Sequence, residues 1–291
     1  MKCNGDDMYS REEFGEFLLK EKKDGTKIMV RDVQLALLEM MKDIDKICRD
    51  NNIEYCLTGG STLGAYLYKG FIPWDDDLDI AMMRKDYKKF IKALEKDLDK
   101  EEYTFHCFEK NKKYDVTWPY MKIRKKNTYI KEVNKLLPNR CDDCNGIFID
   151  VFIYDYMAKS TILDLPLRLC NSVLMPVIIF FENLKLNPIP LKWLYRFNAK
   201  LYGKIFNGSK YIGDDLTWTY RNPMTPLRYE KAKMFPAVLT PFEDTMLPVP
   251  NDTRDYLIRH WTERCLTPLP PEKRKPGHVF DISLTSSTPE E

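Results

Sequence analysis

Residues 57–90 read LTGGSTLGAYLYKGFIPWDDDLDIAMMRKDYKKF. This stretch holds the parts of one α/β unit in order. Leu57 closes the short run EYCL, which reads as a strand. Gly59, Gly60 and Ser61 then make a tight turn, since glycine opens backbone conformations closed to other residues. Residues 62–69 read as a helix started by small residues, and Pro73 blocks any continuation. Residues 77–83 read as a second strand. Side chains alternate along a strand, so Asp77 and Asp79 share one face while Leu78, Ile80 and Met82 share the other. Residues 84–98 read as a charged amphipathic helix.

The difficulty lies in the charge. Asp75, Asp76, Asp77 and Asp79 stand directly against an apolar strand. Two carboxylates about 6 Å apart repel by roughly 3 kcal/mol at an effective dielectric near 20. A divalent cation reverses that sign, and oxygen-only ligands favour Mg²⁺ or Mn²⁺. Asp150 is the lone acid inside GIFIDVFI (146–153), a strand apolar on both faces. A buried carboxylate needs a partner, so Asp150 is the expected third ligand beside Asp77 and Asp79. The alternative makes Asp75 to Asp79 loop and cap residues and puts Asp150 at a sheet edge.

The glycine turn bears on that choice. Gly59, Gly60, Ser61 and Thr62 open a helix whose first amides have no partner within the helix and suit a phosphate. A phosphate cradle beside an acid cluster is what metal-assisted phosphoryl transfer requires. In PYMKIRKKNT (119–128), Lys122 and Arg124 share a strand face, and either suits a phosphate. An exposed basic edge strand is the other reading.

Around this unit, residues 31–50 carry Val33, Leu37, Met40, Ile44 and Ile47 at helical spacing. Strands are expected over 103–108, 116–123 and 146–153. The stretch 161–212 is apolar, aromatic and basic and reads as mainly helical, and a further helix is expected over 253–261. The fold class is α+β or α/β, a mixed β-sheet core with flanking helices and a mainly helical C-terminal half. The expected division is a polar extension (1–30), a catalytic core (31–160), a helical and proline-rich part packed on it (161–282) and a disordered tail (283–291).

With 291 residues, 44% hydrophobic, and a net charge of +2, the chain can bury a large core and is not a general polyanion binder. No nucleic-acid partner is expected. The N-terminus lacks a signal-like apolar segment, so a cytoplasmic location is expected. The eight cysteines then read as free thiols. Cys141-x-x-Cys144 has metal-like spacing but no second pair. In the run 191–210, Lys192, Arg196, Lys200 and Lys204 recur every fourth residue beside an apolar stripe that begins at Trp193. That pattern predicts either a salt-sensitive contact with anionic lipid at the inner face of the membrane or a core-packed helix with a solvated basic edge.

Residues 57–90, PYMKIRKKNT and GIFIDVF are similar to the LicD family, as are LTPFEDTMLPVPNDTRDYL (239–257) and LPPEKRKPGH (269–278). The resemblance implies a nucleotidyltransferase-like fold. It also implies transfer of phosphocholine from CDP-choline to a hydroxyl of a cell-surface glycan such as teichoic acid or lipopolysaccharide. Related eukaryotic proteins move ribitol phosphate. On this resemblance Gly60 and Ser61 carry the donor turn, Asp77 and Asp79 the paired metal ligands, and Asp150, matched more loosely, the third acid. The gap from Ser61 to Asp77 is longer than is usual in the wider superfamily. A choline head group would want an aromatic face, for which Trp74, Tyr66, Trp118 and Tyr120 are candidates, with ordinary packing as the alternative for each. Two other functions fit the same residues. A true nucleotidyltransferase would release pyrophosphate in place of CMP. An inactive scaffold in envelope glycan assembly would not bind metal.

Overall fold

The computed structural model describes residues 9–114, 121–132, 144–213 and 225–289. In chain order these form β1 (Leu18–Glu21), β2 (Lys27–Met29), α1 (Val30–Asp50), β3 (Cys56–Leu57), α2 (Gly59–Tyr68), β4 (Asp79–Met83) and α3 (Arg84–Asp97). Then come β5 (Tyr103–Cys107), β6 (Met121–Lys125), β7 (Tyr129–Glu132) and β8 (Phe148–Met157). The C-terminal half contains α4 (Thr161–Asn183), α5 (Ile189–Ile205), β9 (Tyr211–Gly213), β10 (Tyr229–Glu230) and α6 (Lys231–Met234). It ends with β11 (Val238–Phe242), β12 (Thr245–Val249), α7 (Thr253–His260) and β13 (Val279–Ser283).

A seven-stranded mixed sheet forms the centre, as expected. Its spine is β8, the longest strand. One edge of β8 pairs in parallel with β4, and β4 pairs antiparallel with β3. The other edge is shared: β6 pairs with residues 148–151 and β9 with residues 155–157, both antiparallel. β5 extends the sheet beyond β6, and β10 extends it beyond β9. The parallel β4–β8 pair needs a crossover, which α3 and the β5–β6 hairpin provide.

Two cores follow from the period of two. Ile80, Met82, Val151, Ile153, Met121 and Ile123 meet Leu37 and Met41 of α1 and Phe90 and Leu94 of α3. The periodicity seen over 31–50 is thus the buried face of α1. On the opposite face Ala81, Met83 and Tyr154 pack with Tyr229, Tyr256 and Leu257. Asp79 and Asp150 belong to this second face. Residues 9–30 include the hairpin β1–β2. They also set Phe14 and Phe17 edge-on to Trp74, at 5.8 and 5.9 Å between ring centres.

In the run 191–210, α5 (Ile189–Ile205) turns its faces the other way from the membrane reading of its basic stripe. Lys192 is fully buried and paired with Glu182, while Arg196 is 8% exposed and holds Glu109 at 2.8 Å. Lys200 and Lys204 are exposed. Trp193, Phe197 and Ile205 point outward, at 58%, 42% and 57% exposure. The reason is local: two acids, on α4 and in the loop after β5, draw the first half of the basic stripe inward. Of the strand expected over 116–123, residues 121–123 lie in β6, and residues 115–120, with Trp118 and Tyr120, lie outside the described residues.

Candidate active site

β4 and β8 are in register so that Asp79 lies beside Asp150. On the far edge of β8, Lys122 of β6 lies beside Asp150. Paired residues of adjacent strands point the same way, so one row across three strands reads Asp79, Asp150, Lys122. The Lys122 ammonium lies 2.9 Å from Asp150 Oδ1 and 2.9 Å from Glu132 Oε1. It also sits 3.3 Å from the centre of the Phe148 ring. The buried Asp150 carboxylate therefore has a cation partner within the protein. Burial still pushes Asp150 up to about 6, against the pull of Lys122.

The loop entering β4 is held from several directions. Gln34 of α1, fully buried, donates to the carbonyls of Ile72 and Asp75 at 3.0 and 2.8 Å. Glu243, at the β11–β12 turn, pairs with Arg31 at 2.7 Å and accepts the Phe71 amide at 3.2 Å. Asp76 faces inward and accepts the Val279 amide at 3.0 Å and His278 Nδ1–H at 2.9 Å. His278 Nδ1 also lies 3.2 Å from Asp77 Oδ2. The bond to Asp76 and the charge of Asp77 push the imidazole up to about 10, so it is an imidazolium. This strap ties the C-terminal segment to the acid loop.

The glycine turn closes on the same acids. Gly59 has φ +55, and a side chain there would sit 3.3 Å from Asp79 Oδ2. At Gly60 a Cβ would lie 2.6 Å from Asp75 Oδ2. Gly59 is favoured by its left-handed turn, and Gly60 by the close approach of the Asp75 carboxylate. The Gly59 amide donates to the Tyr256 hydroxyl at 2.8 Å, and that hydroxyl is 2.7 Å from Thr58 Oγ1. Ser61 Oγ accepts the Asp79 amide at 2.8 Å. With Gly59 occupied, the amides of Gly60 and Ser61 are the open start of α2 among the described residues.

A cleft of about 600 Å³ lies over this face of the sheet. Gly59, Gly60, Asp75, Asp77, Asp79 and His278 line one wall, and Tyr68, Trp74, Tyr154, His260 and Trp261 line much of the rest. Asp150 sits beside Asp79 but is not among the lining residues. Several expected contacts are corrected. Thr62 is fully buried and does not reach the cleft, because the second turn of α2 rotates it inward. Arg124 is 1% exposed and donates to the Gly146 carbonyl at 2.9 Å, so it braces the β6–β8 pairing and is not placed to meet a phosphate. Tyr66 packs against the second core and does not line the cleft. Trp74 lines it, but its ring carries the Arg274 guanidinium at 5.5 Å. Cys144 is half-buried with its thiol 3.8 Å from the Lys125 carbonyl, and Cys141 lies outside the described residues.

Thr58, Tyr256, His278 and Gln34 escaped the sequence reading. The block 239–278 had been matched as a whole, and it supplies both Tyr256 and His278.

The charges do not balance. Asp75, Asp77 and Asp79 are all pushed up by burial first and then by neighbouring acids, with His278 opposing. Among the described residues, five carboxylates (Asp75, Asp76, Asp77, Asp79, Asp150) face two cations in contact, Lys122 and His278. Among the described residues the tightest ligand grouping is Asp75, Asp76 and His278, within 4.8 Å. Its imidazole proton is committed to Asp76, so these three read as the strap. Asp77, Asp79 and Asp150 offer oxygen ligands only, and their surplus charge fits a hard divalent cation.

This surplus predicts a pH dependence. A carboxylate raised in the folded state, such as Asp150 (3.8 to about 6), stabilises the fold below its unfolded value. That contribution is lost as pH rises through the folded value. His278 contributes fully below 6.5 and loses its share as pH rises through about 10. Both run the same way. In EDTA the melting temperature should fall between pH 5.5 and 8.5, and Mg²⁺ should flatten the slope. A melting temperature that rises with pH in EDTA, or an equal slope with Mg²⁺, refutes the charge balance.

Comparison with known proteins places the chain's similarities. Residues 52–164 match the family described as LicD/FKTN/FKRP, nucleotidyltransferase domain. A Haemophilus influenzae protein named lipopolysaccharide cholinephosphotransferase LicD is 31% identical over 147 residues, covering 48% of this chain and 50% of that one. An uncharacterized protein of Rickettsia typhi is 43% identical over 60 residues, 21% of this chain and 19% of its own length. One of Rickettsia prowazekii is 46% identical over 52 residues, 18% of this chain and 20% of its own. The match thus spans half of the Haemophilus protein and about a fifth of each rickettsial one. From strand β3 through the acid-bearing β4 and β8, residues 52–164 are a LicD-family nucleotidyltransferase domain.

Proposed function

We propose that this chain moves a phospho-alcohol head group, phosphocholine foremost, from a CDP-linked donor to a glycan hydroxyl, with release of CMP. The acceptor would be a cell-surface glycan or its lipid-linked precursor. The observation that carries the reading is the glycine turn of α2 set against Asp75 and Asp79, in a domain whose Haemophilus relative is named a cholinephosphotransferase. A diphosphate beside carboxylates needs a cation between them, and the oxygen-only set suits Mg²⁺ or Mn²⁺.

Asp77, Asp79 and Asp150 would hold that cation, which when bound neutralises charge on the diphosphate. The open amides of Gly60 and Ser61 would receive a donor phosphate at the positive end of α2. Tyr256 fixes the turn through Thr58 and Gly59. The acceptor oxygen bonds to the phosphorus of the head group, the bond from that phosphorus to the CMP oxygen breaks, and Asp150 takes the acceptor proton. Without the cation, burial pushes this carboxylate up to about 6, so it is ionised at neutral pH and can accept a proton. Lys122 would keep it charged and offset the CMP phosphate. Trp74 would need to release Arg274 before meeting a quaternary ammonium. Tyr68 and Trp261, both lining the cleft, are aromatic faces for it as well.

The test is a thermal-shift comparison of CDP-choline, CDP-ribitol, CDP-ethanolamine and CDP-glycerol with Mg²⁺, followed by product analysis with the ligand that stabilises most. CDP-choline should give the largest shift and turnover should yield CMP. Stabilisation by none of the four, or release of pyrophosphate from a nucleoside triphosphate, would overturn the reading.

A further inference from the structure

α4 and α5 form an antiparallel hairpin, as the pairs Asn171–Asn198 and Asp164–Tyr202 show. Its charge distribution is inverted relative to a helix pair on a water-exposed surface. The polar groups lie inside. Asp164 receives Arg228 at 2.7 Å and Arg168 at 3.2 Å, and Glu182 is paired with Lys192. Asn171 donates to the Tyr195 carbonyl at 3.1 Å. The outer face is apolar: Ile162 is 80% exposed, Val173 65%, Leu163 64%, Phe180 59% and Trp193 58%. A helix facing water carries its apolar residues inward and its charges outward. A contiguous outward apolar face marks a contact surface.

The remaining exposed charges say what covers it. Between residues 161 and 209 the exposed charged side chains are Lys185, Lys200 and Lys204, and both acids of the stretch, Asp164 and Glu182, are buried. A positive fringe on an apolar face complements an anionic bilayer surface. Trp193 and Phe197 stack outward at 5.2 Å, as aromatic side chains do at a membrane interface. A second copy of the chain is a poorer occupant. A two-fold pairing would set this lysine fringe against itself, with no exposed acid on the hairpin to answer it.

We propose that the outward face of α4 and α5 lies in the headgroup layer of an anionic lipid membrane, with the hairpin parallel to the surface. α4 is long and apolar enough to cross a bilayer by length and composition. Its inner-face bonds to Arg228 and to α5 hold it against the domain instead. The surface takes in only the exposed end of the basic stripe, Lys200 and Lys204. Lys192 and Arg196 stabilise the hairpin from within, and the apolar stripe makes the contact. The inference stands apart from the choice of donor.

The experiment uses the full chain with vesicles of phosphatidylcholine, with and without phosphatidylglycerol. Wild type should co-float with the anionic vesicles, and brominated lipid should quench Trp193 fluorescence, a quench that Trp193→Phe removes. Lys185→Gln, Lys200→Gln and Lys204→Gln together should weaken anionic binding by about 100-fold. Val173→Ser with Phe180→Ser and Phe197→Ser should abolish flotation while the circular dichroism spectrum stays unchanged. Failure of wild type to bind either vesicle overturns the proposal. So does unaltered binding by the serine variant, or a stable dimer in lipid-free buffer that the serine variant dissolves.

Discussion

Asp77→Asn and Asp79→Asn should each lower head-group transfer by about 10³-fold, while the metal-free melting temperature stays constant or rises. The second half of that statement is what separates a ligand from a structural acid. Both carboxylates are pushed upward by burial, and Asp79 by Asp77 and Asp150 in addition. A fold that strains to keep these groups ionised does not need their charge for its own stability. An amide of the same shape removes repulsion and leaves packing alone. Asp76 shows the contrast: it is buried, accepts His278 and Val279, and anchors the C-terminal strap. The checks are turnover on the stabilising CDP donor in Mg²⁺ and melting in EDTA. Near wild-type turnover by either variant would remove the metal role. A lower melting temperature in EDTA would make the acid structural.

Local pattern carried most of the fold. The strand–turn–helix–loop–strand–helix order over 57–90 was legible because each boundary has a local cause: Gly59 and Gly60 at the turn, Pro73 in the loop, alternation from Asp77 onward. β8 was legible from one unbroken apolar run with a single acid. What escaped depends on contacts between distant residues. Tyr256 reaches Gly59 across 197 residues, and His278 reaches Asp76 across 202. Gln34 has no sequence signal of its own; its role comes from the loop carbonyls of Ile72 and Asp75, 38 and 41 residues on. The errors were of one kind. Thr62 suits a donor phosphate as part of the helix start, and Arg124 does so as a cation on the strand face of Lys122. Helix rotation turned the first into the core, and the Gly146 carbonyl captured the second. For Asp150 the sequence suggests a shared metal as the partner and gives no sign of a cation within the protein. Strand register supplied Lys122.

The stripe of Lys192, Arg196, Lys200 and Lys204 shows where periodicity stops. It correctly places four basic residues on one side of a helix but leaves open which side is out. Acids elsewhere decide that, so removing one such pairing should be costly. Lys192→Ala should destabilise the protein by about 3–5 kcal/mol, because it removes the ammonium that pairs with the Glu182 carboxylate where water does not reach. Lys192 is fully buried and Glu182 is 1% exposed, and the ammonium also donates to the carbonyls of Lys113 and Tyr114 at 3.2 and 3.0 Å. Lys200→Ala, on the exposed end of the same stripe, should change stability by less than about 0.5 kcal/mol. Replacing the pair together, Glu182→Leu with Lys192→Met, should recover most of the loss, since an apolar pair of similar volume avoids the desolvation cost. Urea unfolding of the three variants measures this directly. If Lys192→Ala costs no more than Lys200→Ala, the ion pair is solvated and the hairpin is turned over. Its basic face would then point outward, and its apolar face would belong to the core.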